Sequence, residues 1–143
     1  MAYDKDNIFA RIIRGEIPCH KVYEDADTLA FMDIMPQAEG HTLVLPKAAG
    51  EDIFTLPPDA LAAAIRTAQK IARAVKQAFS PPGIMIAQLN GHAAGQSVFH
   101  LHFHVIPRYA GKDLGIHAAA PADHAVLAEH AARVRAALMK GGA

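Results

Sequence analysis

The sequence predicts an α+β fold: a five-stranded, mainly antiparallel sheet with one long central helix, plus short N-terminal and C-terminal helices. Three observations carry this. Five short runs of apolar and β-branched residues are separated by turn-forming clusters. One long amphipathic segment divides the first three runs from the last two. Strands follow one another closely, with helices between groups rather than after every strand, which favours an antiparallel sheet over βαβ units.

Each element has its own warrant. "DNIFARIIRG" reads as a short helix with Ile8, Phe9, Ile12 and Ile13 on one face, Gly15 as a left-handed stop and Pro18 beyond it. "HKVYED" and "TLAFMDI" read as two strands joined through "EDAD", "PQAEG" as a loop and "HTLVLP" as a third strand. "PDALAAAIRTAQKIARAVKQAF" places Leu61, Ile65, Ala68, Ile71, Ala72, Val75 and Phe79 on one helical stripe, and "SPPG" ends it. "IMIAQLN" is a fourth strand, "GHAAGQS" a loop and "FHLHFHVIP" a fifth strand. After the loop "RYAGKDLG", a last Ala-rich helix runs from about Asp123 to Met139 and ends at Gly141.

Composition excludes several classes of function. The 143 residues suit one domain, 1–143, with a real core. Fourteen basic and 14 acidic residues balance, with no block of like charge, so no face is marked for nucleic acid. A small anion is still possible, because backbone N–H groups bind phosphate without net charge. The one cysteine, Cys19, permits no internal disulfide and no C-x-x-C metal pair. The start, "MAYDKDNIFARIIRGEIP", has no long apolar run, so neither a signal peptide nor a membrane span is expected, and the cytoplasm is the default location.

Nine histidines are present, and three of them, His100, His102 and His104, alternate within "FHLHFHVIPR". On a strand they share one face, roughly 6–7 Å apart, while Leu101, Phe103 and Val105 share the other. Three readings compete. The histidines can be polar surface residues with no shared role. They can ligate zinc with help from His41 or His92, although no Asp, Glu or Cys stands nearby in sequence. Or one can be a nucleophile toward phosphorus, splitting one displacement into two, with its neighbours fixing its tautomer and moving protons. The third needs phosphate-binding donors, and Gly95, Gln96 and Ser97 just before the strand offer them.

The run "HLHFHVI" resembles the signature of the histidine triad (HIT) superfamily. The surrounding "NGHAAGQSVFHLHFHVIPRY" is similar to its Hint-type branch, and "FMDIMP" and "GHTLVLPK" extend the resemblance over nearly the whole chain. The resemblance implies a HIT-like fold and a homodimeric nucleotide-binding hydrolase or transferase. The implied reaction is cleavage of substituted AMP, as a purine nucleoside 5′-phosphoramidase, through a nucleotidyl-histidine and with no cofactor. His102 matches the nucleophile and His104 the contact to the α-phosphate, with His100 and His41 as supporting histidines. Ser97 and Gln96 match the phosphate and leaving-group side, and Asp33 the acceptor of the ribose hydroxyls. Phe9, Phe31 and Ile34 match the walls around the purine, and Asn90 a polar pocket residue. Read without the family, these residues have plainer roles: core for Phe9, Phe31 and Ile34, a turn for Asp33 and for Asn90-Gly91, a strand start for His41 and Ser97.

The alternatives within the resemblance are a dinucleoside polyphosphate hydrolase of Fhit type and a nucleotide-binding scaffold with little turnover. One departure stands out. Many bacterial members of the family that the chain resembles hold structural zinc through C-x-x-C near the first helix and two histidines. The matching positions here are Asn7, Ala10 and Ala48 or Ala49, with His100 alone left. No metal is therefore expected, and the first helix is expected to dock by apolar packing alone. His92 and His117 read as surface histidines.

Overall fold

The computed structural model describes residues 2–111 and 121–141. The elements are α1 (Ile8–Ile13), β1 (Lys21–Glu24), β2 (Thr28–Met32), β3 (Thr42–Pro46), α2 (Pro58–Phe79), β4 (Gly83–Gln88), β5 (Phe103–Arg108) and α3 (His124–Gly141), with a 3₁₀ turn at His92–Ala94. The sheet order is β1-β2-β3-β5-β4, and every neighbouring pair is antiparallel. His117 and the end of the loop that precedes α3 lie outside the described residues.

Period-two alternation divides the sheet into two faces. Ala30, Met32, Val44, Leu101, Phe103 and Val105 meet α2 and α3 in the main core. Leu29, Phe31, Leu43 and Leu45 point the other way and are covered by Phe9 of α1, with Ile12 and Ile13 at the margin. A helix of six residues is too short to hold itself in water. Its seat on this second apolar layer is what makes α1 helical, together with Asn7, whose side chain accepts the Ala10 N–H at 2.9 Å as an N-cap.

α2 buries Ala64, Thr67, Ala68, Ile71, Ala74 and Val75. This corrects the expected stripe at Ile65, which is 46% exposed. Thr67 takes part instead, because its hydroxyl meets that of Thr28 at 2.8 Å and so enters the core paired. The helix ends with Ser80 in the left-handed region at φ 48°, one residue before the prolines. Phe79 closes against Gly40, whose φ of +89° and missing Cβ both matter: an added carbon would come within 2.8 Å of the ring.

The fifth strand is shorter than expected. Its ladder begins at Phe103, not at Phe99. Extended backbone nevertheless continues upstream far enough to keep the alternation, since Leu101 lies in the same core as Phe103 and Val105.

Candidate functional site

Three adjacent strands build the site. On the face away from α2, β2 and its extension contribute Leu29, Phe31 and Asp33; β3 and its approach contribute His41, Leu43 and Leu45; β5 and its approach contribute His100, His102 and His104. Asp33, His41 and His104 gather at one end of the sheet, while His100 lies at the other, against the Pro46 carbonyl. Asp33 N–H donates to the His41 carbonyl at 3.0 Å, which fixes the two side chains beside each other.

Hydrogen bonds assign the tautomers. His102 Nδ1 lies 2.7 Å from the His100 carbonyl, an acceptor only, so Nδ1 carries the proton. Its Nε2 therefore keeps a lone pair. His41 Nδ1 accepts the backbone N–H of Gln37 at 3.0 Å, so the His41 proton sits on Nε2. That N–H points to His104 Nδ1 at 3.0 Å, with Asp33 Oδ2 at 3.4 Å beside it. His104 Nδ1 is then an acceptor, and its own proton is on Nε2. Two neighbouring histidines on one face are thus held in opposite tautomers: His102 offers a lone pair and His104 offers a proton. His100 is also fixed, with Nε2–H donating to the Pro46 carbonyl at 2.7 Å and Nδ1 accepting from the Tyr3 hydroxyl at 2.6 Å.

Burial sets the charges. His102 is 6% exposed and His41 2%. Desolvation, with neighbouring histidines adding to it, pushes both down to about 3. His100 and His104 are also lowered by burial. All four imidazoles are therefore neutral near pH 7. Burial pushes the Asp33 carboxyl up to about 6, against a hydrogen bond from Met35 N–H that lowers it. Asp33 is both a turn-former, through Oδ1, and a neighbour of the histidine relay, through Oδ2.

Several expected ligand groups are engaged within the chain. Gln96 is buried and uses its whole amide: Oε1 accepts from Gly91 N–H at 2.7 Å, and Nε2 donates to the carbonyls of Glu51 at 2.6 Å and Val98 at 3.1 Å. The expectation that its side chain is offered to phosphate is corrected accordingly. The backbone N–H groups of Gly95 and Gln96 are likewise bonded, to the carbonyls of His92 and Gly91, so they too are not the donors expected for phosphate. Ser97 follows them, exposed. Asn90 bridges Gln88 and the Ile53 N–H. Phe9 stacks edge-on against Phe31 at 5.6 Å and His102 at 4.8 Å, so both phenylalanines are core, as their plainer reading had it. Ile34, 48% exposed, corrects its own plain reading as core: it is the one of the three that presents open surface. His92 is exposed, as expected.

Two metal arrangements can be tested against the donors. Zinc at the first helix does not fit. Asn7 is an N-cap, Ala10 is a buried aliphatic, Ala49 has no ligand atom, and both ring nitrogens of His100 are taken. The expectation that α1 docks by apolar packing alone is corrected by the same contact, since Tyr3 adds a hydrogen bond across the chain. The ligand atoms of Asp33, His41 and His104 lie within 4.8 Å of one another. A cation there meets the His41 N–H instead of a lone pair, because the Gln37 amide holds the other nitrogen. The cluster is instead hydrogen-bonded within itself, His41 Nε2–H donating to His104 Nδ1.

Sequence reasoning missed Tyr3, the Gln37 amide and the Pro46 carbonyl. Only Tyr3 is a side chain, and its partner lies 97 residues away.

Comparison with known proteins identifies the family and the fold. The HIT domain family profile matches residues 14–111. A solved Hit-like protein involved in cell-cycle regulation from Bartonella henselae superposes with a TM-score of 0.89 at 49% identity, covering 96% of this chain and 99% of its own. A zinc-bound histidine triad family protein from Mycobacterium smegmatis superposes at 0.85 with 36% identity, covering 96% of each chain. An Arabidopsis thaliana relative named adenylylsulfatase HINT3 is 40% identical over 103 residues, which are 72% of this chain and 52% of that protein.

Proposed function

The chain belongs to the HIT family, and from that premise we propose that it is a nucleotide-binding hydrolase or transferase acting on substituted AMP, foremost nucleoside 5′-phosphoramidates. The observation that carries the reading is the pair of opposite tautomers at His102 and His104. His102 Nε2 attacks the α-phosphorus and forms an N–P bond. The bond from phosphorus to the leaving amine breaks, and its electron pair leaves with the amine, which takes a proton from the Ser97 hydroxyl. Water then attacks phosphorus and returns a proton to the group that protonated the amine, the N–P bond breaks, and AMP departs with His102 neutral again. His104 Nε2–H steadies the phosphoryl oxygens, His41 and Asp33 hold its proton in place, and His100 holds the nucleophile. Asp33 and Ile34 face the ribose and base. Residues 1–143 act as a single domain, as a homodimer, with no cofactor. One unpaired thiol, Cys19, supports a cytoplasmic setting. Among the described residues no helix is long and apolar enough to cross a membrane.

One observation favours a second leaving group. The Arabidopsis relative is named for adenylyl sulfate, in which sulfate replaces the amine on the same α-phosphorus. The test is a panel of adenosine 5′-phosphoramidate, adenylyl sulfate and diadenosine polyphosphates, with AMP release and a labelled His102 as readouts. AMP from the first two and a nucleotidyl adduct at His102 are expected. His102→Ala should abolish both, with more than a thousandfold loss of turnover expected for a removed nucleophile. Near-normal turnover in that variant ends the covalent reading. Preference for the polyphosphates redirects it to the Fhit-type alternative.

A further inference from the structure

We propose that Tyr3 is a positioning residue for His102, acting through the ring of His100. The two ring bonds of His100 close a line from the N-terminal segment to the nucleophile. Tyr3 O–H donates to His100 Nδ1 at 2.6 Å, His100 Nε2–H donates to the Pro46 carbonyl at 2.7 Å, and the His100 carbonyl accepts from His102 Nδ1–H at 2.7 Å. The Tyr3 and His100 rings also meet edge to face at 5.7 Å.

This line matters because the sheet does not hold His100. The β5 ladder starts at Phe103, and the nearest backbone bond is from Leu101 N–H to the Gly50 carbonyl at 2.9 Å. The carbonyl that fixes the His102 tautomer shares a peptide plane with that Leu101 N–H, so Gly50 anchors it from one side and the His100 ring, through Pro46 and Tyr3, from the other. His100 is buried, so an unfilled Nδ1 would be an unsatisfied acceptor away from water. Without Tyr3, only the bond to the Pro46 carbonyl selects the Nε2–H tautomer of His100, and Nδ1 is left as a buried acceptor with no donor.

The metal-binding alternative is absent from the residues themselves. Asn7, Ala10 and Ala49 stand where ligands would have to be, and Asn7 is committed to capping α1. Tyr3 itself is seated by its own segment: Asn7 N–H donates to the Asp4 carbonyl at 3.1 Å, and Arg14 reaches the Lys5 carbonyl at 2.6 Å. Tyr3 touches no substrate in this scheme. It acts through His100.

The kinetic consequence rests on the function proposed above, whereas the structural one does not. The test is Tyr3→Phe, which keeps the ring against His100 and removes only the hydroxyl, with a chain beginning at Asp4 as a second variant. In ¹⁵N spectra of the imidazoles without ligand, wild type should show His100 as a pure Nε2–H tautomer and His102 as a pure Nδ1–H tautomer. Both variants should show mixed or broadened signals at the two histidines, with His41 and His104 unchanged. With a phosphoramidate substrate, kcat should fall about threefold to tenfold, the loss expected for one hydrogen bond, with KM little changed. Unchanged imidazole spectra in both variants overturn the proposal. Altered spectra with no AMP release from wild type would support the lock while removing the proposed activity, so the two failures are distinguishable.

Discussion

At the residue scale, the site works by holding neutral imidazoles in assigned tautomers, and Asp33 is the group whose charge state is closest to balance. Its carboxyl titrates near 3.8 in an unfolded chain and near 6 when folded. Below about pH 4 both states hold the proton. From pH 4 to 6 the unfolded chain releases it first, so the folded state loses stability, up to about 3 kcal/mol. His41 and His102 act in the opposite sense. Lowered to about 3, they stabilise the fold above about pH 6.5, and that contribution is lost as pH falls toward 3. Asp33→Asn removes the first effect and leaves the second. The stability of the variant relative to wild type should therefore grow by about 2–3 kcal/mol between pH 4 and pH 7, measured by urea denaturation at each pH. A difference that stays constant with pH would show that Asp33 is not held in a desolvated place. The histidine alternation was plain in the sequence because a strand's period is fixed. Tyr3 was not, because nothing local marks a hydroxyl whose partner is met only after the chain has folded.

At the element scale, the segment from Asn90 to Ser97 is tied down by one amide. Gln96 satisfies Gly91, Glu51 and Val98 at once, while Asn90 secures Ile53. Gln96→Ala leaves buried backbone groups without partners and should cost about 2–4 kcal/mol, with hydrogen exchange quickening in residues 50–54 and 89–98. A loss below about 0.5 kcal/mol, in the range of an ordinary surface substitution, would mean that water replaces the amide at no cost. "GHAAGQS" was legible as a loop, but which side of Gln96 serves the loop and which serves a ligand was not. Composition alone does not say where an amide points. The same limit misplaced the start of β5. The pattern "FHLHFHVIP" alternates from Phe99, yet β3 ends its pairing with β5 at Phe103, and alternation persists without ladder bonds.

At the scale of the whole molecule, the sheet has two edges of different character. β1 is partly closed, by a register shift between Lys21 and Tyr23 and by Arg135 of α3, which donates to the Lys21 carbonyl at 2.7 Å. Among the described residues β4 pairs only with β5, and it carries Ile86, 44% exposed. Beside it, between β4 and α2, runs a cleft of about 350 Å³ lined by Ala72, Pro81, Pro82, Ile84 and Ile86, with Gln69, Arg73 and Lys76 of α2 along it. An open edge with apolar neighbours invites pairing, and a second copy of this strand satisfies it symmetrically. Ile86→Lys should turn the expected dimer into a monomer in sedimentation velocity, with the fold retained. A wild-type monomer at micromolar concentration would refute the expected assembly. The order of elements and the central helix were legible from periodicity. The inequality of the two edges was not, since it depends on where Arg135 lands.

The contact between Tyr3 and His100 also bears on oxidative stress. Thiolates that hold a metal are oxidised by peroxide and release their ion, and the element they staple comes loose. A phenol bonded to an imidazole offers peroxide no such point of attack. The one cysteine, Cys19, is half-buried, and burial raises its pKa, so it is a poor thiolate. The protein should keep its N-terminal helix seated, and the proposed turnover intact, through a peroxide exposure that would strip zinc from a thiolate site. Stepwise peroxide treatment, followed by intact-mass measurement and the AMP-release assay, checks this. Loss of turnover in step with Cys19 oxidation would show that the thiol, and not the hydroxyl, guards the site.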